Sequence, residues 1–289
     1  MPGHVFRLDR RQLSYAHFPH DGQRRTFGEH HSAELSAETF GEGPLGGSLR
    51  DPDGFREALR GLRARATTPV TEASLVLPDD WLRISFVDVD SLPRSPAERQ
   101  EVLRWKLKRQ VPFRVEDLRL SAAPAPALAT DDARQRIALL FGVDQLLTTL
   151  EAAFEAEGVH LGQLTNQSLS LLAALAEALA GVDLAAVVVV GEETYSLTIA
   201  RHGEPLLYRH KTLGPRAAEA ALEPLVRRDL RLTASFLEEN LGGAAVDSAV
   251  VLAPPEREEA WSRWLEETFE VPLRSVAREW SFLAAAAAA

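Results

Sequence analysis

The chain has 289 residues, 45% hydrophobic and 26% charged, enough to build a sizeable core in one large or two compact domains. Its net charge of −10 argues against a nucleic-acid binder, which carries a net basic domain. The absence of cysteine removes disulfides, thiolate metal sites and cysteine nucleophiles together.

The opening MPGHVFRLDRRQ has no apolar core of signal-peptide length, and no stretch approaches the ~18 apolar residues that span a bilayer. The expectation is a cytoplasmic protein without a membrane span of its own.

Three β-like runs come first, at Val5–Leu8, Gln12–Phe18 and Arg24–Phe27. A Gly-rich loop at 41–47 follows. Asp51-Pro52 then signals a helix start, with apolar Phe55, Leu59 and Leu62 behind it. A strand at Ala73–Leu77 completes a β-β-β-α-β pattern. The segment 80–163 reads as a strand (Leu82–Val89), a helix (Ser95–Gln110), strands at Leu118–Ala123 and Arg136–Gly142, a helix (Val143–Glu157) and a strand (Leu161–Leu164). This two-helix, four-strand stretch is expected to form an inserted α+β subdomain. A helix over 166–180, with Asn166 as N-cap, closes the first unit.

From Leu184 the pattern recurs. Strands are expected at 184–190, Tyr195–Ala200 and Pro205–Arg209, then a helical stretch at 216–241 that Pro224 divides in two. A strand at Ser248–Leu252, a helix with Trp261, Trp264 and Leu265 on one face, and a strand at Val271–Arg274 follow. The end, WSFLAAAAAA, reads as a truncated helix, alanine being the best helix former. The domains expected are 1–79, an insert at 80–163, a closing helix at 164–183, a second domain at 184–276 and a returning helix at 277–289.

Two β-β-β-α-β-α units with an insert in the first resemble the actin-like superfamily, an α/β fold with a duplicated ribonuclease H-like core. Within it the chain is similar to the PilM family of type IV pilus assembly proteins and its type II secretion counterpart, GspL. LRWKLKRQVPF (103–113) resembles that family's helix in the inserted subdomain. SLTIARHGEPLLYR (196–209) resembles its second phosphate hairpin, and SFLAAAAAA (281–289) its C-terminal small-residue helix. The long insert usual in the second domain is nearly absent, since only a few residues separate Arg209 from Pro215.

The resemblance implies three nucleotide-binding elements, and each departs from the pattern. In the first hairpin Asp9 stands where the family's Asp stands, Arg11 replaces the glycine, and the loop is short. In the second, Gly191 is kept but Val189 replaces the carboxylate that would hold the metal's water shell. Pro254-Pro255 occupies the Gly-Gly turn, and proline fixes φ and lacks an N–H. The hairpins therefore read as inherited scaffold, with no catalytic residues, cofactor or metal. Weak phosphate binding by Arg10 and Arg11, with ATP and Mg²⁺, is the alternative. What the resemblance implies instead is a scaffold that captures the cytoplasmic N-terminal peptide of a PilN-like inner-membrane protein between the first domain and the insert. An assembly ATPase is a further partner, and attachment to the membrane is peripheral. The groove residues expected are Trp105, Leu107 and Phe113, with Ile84 and Phe86 on the neighbouring strand. A divergent actin-like ATPase or sugar-kinase-like enzyme, and a cell-division-type adaptor, are the competing readings.

Other motifs carry less. Gly41-x-Gly43-x-x-Gly46 matches a dinucleotide fingerprint in letters, but Pro44 interrupts it and the helix starts only after Asp51, so it reads as a loop. His30-His31 reads as a solvated loop rather than a metal site, and Glu192-Glu193 as a charged turn rather than an acid–base pair.

Overall fold

The computed structural model describes residues 3–21, 24–25, 28–128, 134–191, 193–214 and 219–274. The first unit begins with β1 (His4–Leu8) and β2 (Gln12–His17), a short ribbon of β3 (His20–Asp21) and β4 (Arg24–Arg25), and β5 (Glu29–Glu34). Then come α1 (Pro52–Arg65) and β6 (Glu72–Leu77). The chain leaves for β7 (Arg83–Val89), α2 (Pro96–Lys108), β8 (Leu118–Pro124) and β9 (Gln135–Val143). It returns through α3 (Asp144–Ala156), β10 (His160–Asn166) and α4 (Gln167–Ala174).

The first sheet has the order β10-β6-β1-β2-β5, parallel across β10, β6 and β1 and antiparallel from β1 to β5. The apolar stripe of α1, Phe55, Leu59 and Leu62, is fully buried on one face. Each such side chain contributes about 1.5–3 kcal/mol by leaving water. Asp51 caps α1 by accepting a hydrogen bond from Gly54 N at 2.9 Å, as expected from the sequence. Phe154 of α3 meets Phe6 of β1 edge-on at 5.1 Å.

The second sheet comprises β11 (Leu184–Val190), β12 (Thr194–Arg201), β13 (Glu204–Thr212), β14 (Ser248–Leu252) and β15 (Leu273–Arg274), in the order β13-β12-β11-β14-β15. Helices α5 (Glu219–Asn240) and α6 (Pro255–Phe269) cover one face, with Trp261 and Trp264 buried beneath. Helix α4 covers the other face through Leu171, Leu172 and Leu175, so both faces are dry. This explains the unbroken apolar run of β11, every residue of which is buried.

The insert is a three-stranded antiparallel sheet, β7-β9-β8, with α2 on one face. It is smaller than the sequence suggests. Strand β10 pairs with β6, Leu164 against Leu75, and α3 packs Leu147, Leu150 and Phe154 into the core of the first sheet. Residues 144–164 therefore belong to the first unit. Local pattern cannot say which sheet a strand joins.

Three other expectations change. The third strand is Glu29–Glu34, not Arg24–Phe27 (residues 26 and 27 lie outside the described residues). As the outer edge of its sheet it alternates half-buried and exposed polar side chains, and so lacks an apolar signature. It also takes His30-His31 out of a loop. Pro224 lies within a helix continuous from Glu219 to Asn240: Leu222, Val226, Leu230 and Leu237 bury on one sheet and hold both sides in line. Helix α4 ends at Ala174, followed by turns, so the closing helix is about half its expected length. The returning helix at 277–289 lies outside the described residues.

The Gly41–Gly47 loop is a seam between the first unit and the insert. Phe40 packs in the first core, Leu45 in that of the insert. Gly46 has φ +94°, and a Cβ there would sit 2.6 Å from the Trp81 ring. Glycine is required by close approach, with no strand–turn–helix phosphate cradle.

Candidate functional site between the two units and beside the insert

The β1–β2 connection is a tight turn with Arg10-Arg11 at its tip, closed by Asp9 N donating to Gln12 O at 2.8 Å. The Asp9 carboxylate is turned onto its own loop. It accepts from Arg10 N at 2.8 Å and lies 3.8 Å from Arg7. The Arg10 guanidinium is 3.3 Å from Asp80 and 5.8 Å from the Trp81 ring centroid. Arg11 is exposed.

In the second hairpin Gly191 N donates to Thr194 O at 2.8 Å, and Gly191 O accepts from Arg257 at 3.0 Å. Val189 is buried and packs in the cluster that includes Leu171, Leu172 and Leu175 of α4. Pro254 and Pro255 open α6, with Pro254 O accepting from Arg257 N and Glu258 N. Arg257 thus links the Gly191 turn to the proline turn.

A second set of groups escaped the sequence reading. Asp79, at the end of β6, is buried and accepts from Ser168 N at 3.0 Å and Ser168 Oγ at 2.6 Å, at the first turn of α4. Burial pushes its carboxyl up to about 6, against hydrogen bonds from Ser168 and Ser196 that favour the anion. Ser196 Oγ on β12 lies 3.1 Å from Tyr208 Oη and 3.0 Å from His210 Nδ1 on β13. Burial, with the Arg83 charge, lowers His210 to about 3 and keeps it neutral. Asp79, Ser168, Ser196, Tyr208 and His210 therefore form a polar seam joining the two units. The faint signal was LPDDW between two strands, and polar residues at alternate positions of β12 and β13.

The five expected groove residues do not share a surface. Leu107 is fully buried between α2 and its sheet. Ile84 and Phe86 pair with Leu140 and Ala138 on the opposite sheet face, where the Arg136 guanidinium lies 4.9 Å from the Phe86 ring. Phe113 is half-buried with Arg83 5.6 Å from its ring centroid. Only Trp105 is open, at 57% exposure. A concavity of about 280 Å³ lies elsewhere on α2, lined by Gln100 and Arg104 of α2, Glu116, Leu118 and Leu120 of the β8 side, and Asp144 of α3. Arg119 of β8 bridges to α3 through Asp144 at 2.7 Å and Glu151 at 2.6 Å. Strand β8 is an edge, its outer side unpaired among the described residues.

Two units of three antiparallel strands continuing into a parallel sheet, with helices between, make this an actin-like fold. The chain superimposes on a chain of the PilM–PilN type IV pilus biogenesis complex with a TM-score of 0.76 at 18% identity, covering 98% of this chain and 90% of that one. A Bacteroides thetaiotaomicron protein with an actin-like ATPase fold and unknown function gives a TM-score of 0.56 at 10% identity, covering 97% and 93%. The cytoplasmic domain of EpsL, from the type II secretion system of Vibrio cholerae, gives 0.49 at 12% identity, covering 96% and 87%. No protein-family profile and no curated protein sequence matches the chain. Among the described residues no helix is long and apolar enough to cross a membrane.

Proposed function

We propose that this chain is a non-catalytic actin-like scaffold of a type IV pilus or type II secretion platform. It holds a short cytoplasmic peptide of a PilN-like inner-membrane protein, and that peptide attaches it peripherally to the membrane. The observation that carries the reading is the similarity of the whole chain to one from the PilM–PilN complex, and the place assigned to the peptide is the open concavity between α2, β8 and α3, beside an unpaired strand edge. An extended peptide is bound there by main-chain hydrogen bonds, with Leu118 and Leu120 at the floor and Arg104, Glu116 and Asp144 around it. The similar fold found in a PilM–PilN complex supports the same partner class.

The lack of catalysis rests on Val189 and the two prolines. A valine carries no metal-holding carboxylate, and proline fixes φ and offers no N–H to a ligand.

Calorimetric titration tests both halves. A synthetic N-terminal peptide of the partner is expected to bind, with a drop of at least about tenfold for Gln100→Trp, which fills the concavity. Millimolar Mg-ATP is expected to give a flat trace. A Mg²⁺-dependent ATP isotherm overturns the scaffold reading, and peptide affinity indifferent to Gln100→Trp overturns the site.

A further inference from the structure

We propose that the outer face of α2, centred on Trp105, docks on an anionic membrane surface. Trp105 is 57% exposed, a high value for so large an apolar side chain. Lys106 and Arg109 hold their charges 5.7 and 5.9 Å from its ring centroid. Residues 102–115 carry Arg104, Lys106, Lys108, Arg109 and Arg114 and no carboxylate, in a chain of net charge −10; Glu98 and Glu101, at the N-terminal end of the same helix face, bound the patch on one side.

These charges are only partly spent. Arg104 and Lys106 donate to the backbone carbonyls of Val115 and Asp88, which do not neutralise them. Lys108 and Arg114 make exposed pairs at 3.7 and 3.6 Å with Glu116 and Asp117, a geometry worth little in water. Arg109 has no carboxylate partner among the described residues.

Shape selects the occupant. An extended peptide needs a groove, and the groove of α2 lies on its other flank, at Gln100 and Arg104. The Trp105 face is a convex helix surface. A projecting tryptophan with Lys106 and Arg109 at its ring and Lys108 one turn on suits a plane of anionic headgroups, where the indole sits at the interface and cations meet phosphates. The remaining acidic surface is screened within about 8 Å at physiological salt and does not prevent contact by one face. The contact rests in part on the scaffold reading, since a tether to a membrane protein raises the local lipid concentration.

Vesicle cosedimentation of the chain alone tests it. Binding is expected to phosphatidylcholine vesicles that contain phosphatidylglycerol, to fall with added salt, and to be absent on phosphatidylcholine alone. The Lys108→Ala/Arg109→Ala variant is expected to lose roughly 25-fold, about fivefold per cation. Trp105→Ala is expected to weaken binding with an unchanged melting temperature. Gln100→Trp is expected to retain it, which separates this surface from the peptide site. Absence of binding to the anionic vesicles, or binding indifferent to both α2 variants, overturns the proposal. Capture of an acidic poly-glutamate peptide without vesicle binding assigns the face to a protein instead and also overturns it.

Discussion

Replacing Asp79 by asparagine removes one titrating group from the seam between the two units while keeping its shape. The carboxylate accepts two hydrogen bonds from Ser168, one from the backbone N–H and one from the hydroxyl. An asparagine carbonyl accepts the first, and its amide donates to the Ser168 hydroxyl. Burial moves Asp79 from an ordinary 3.8 to about 6 in the folded chain, so the folded state holds a proton that the unfolded state has already lost. The stabilisation by that proton is complete below about pH 4 and is lost as pH rises through about 6. The interval corresponds to about 3 kcal/mol. Asp79→Asn is therefore expected to match the parent below about pH 4 and to exceed it by about 3 kcal/mol above about pH 7. Urea unfolding of both chains across that range measures the difference, and other titrating groups largely cancel in it. A difference that stays constant with pH, or an asparagine variant that is less stable at pH 8, would refute the account of a desolvated Asp79.

The α2 helix separates packing from surface. Leu107→Ala is expected to cost about 2–5 kcal/mol through lost burial and a cavity, while Trp105→Ala changes stability by less than about 1 kcal/mol; thermal or urea unfolding compares them. Asn166 caps α4 by accepting from Leu169 N at 2.9 Å and donates to Leu82 O at 2.9 Å. Asn166→Ala is expected to cost about 2–3 kcal/mol, because one buried and one partly buried backbone group lose their partner, with chemical denaturation as the measure.

The sequence by itself determined most elements of this protein. Periodicity located α1 and α6, because their apolar positions repeat at the spacing of one buried face. Asp51-Pro52 and Asn166 announced two helix starts, because capping is a local interaction between a side chain and the next turn. The order of elements, read twice, gave the actin-like duplication. Val189 and Pro254-Pro255 stand out by residue type alone, because a valine carries no carboxylate and a proline no N–H.

Tertiary structure decided what depends on partners distant in the chain. Strand β5 has no apolar pattern because it is an edge, and β10 belongs to the first sheet because β6 is its neighbour. The division of α2 into a buried Leu107 and an open Trp105 follows from the helix's rotation against its sheet, and Ile84 and Phe86 fall on the far face because side chains alternate along β7. The seam of Asp79, Ser168, Ser196, Tyr208 and His210 exists only once two sheets and α4 meet. No local pattern carries it, since a buried polar group is defined by what closes over it.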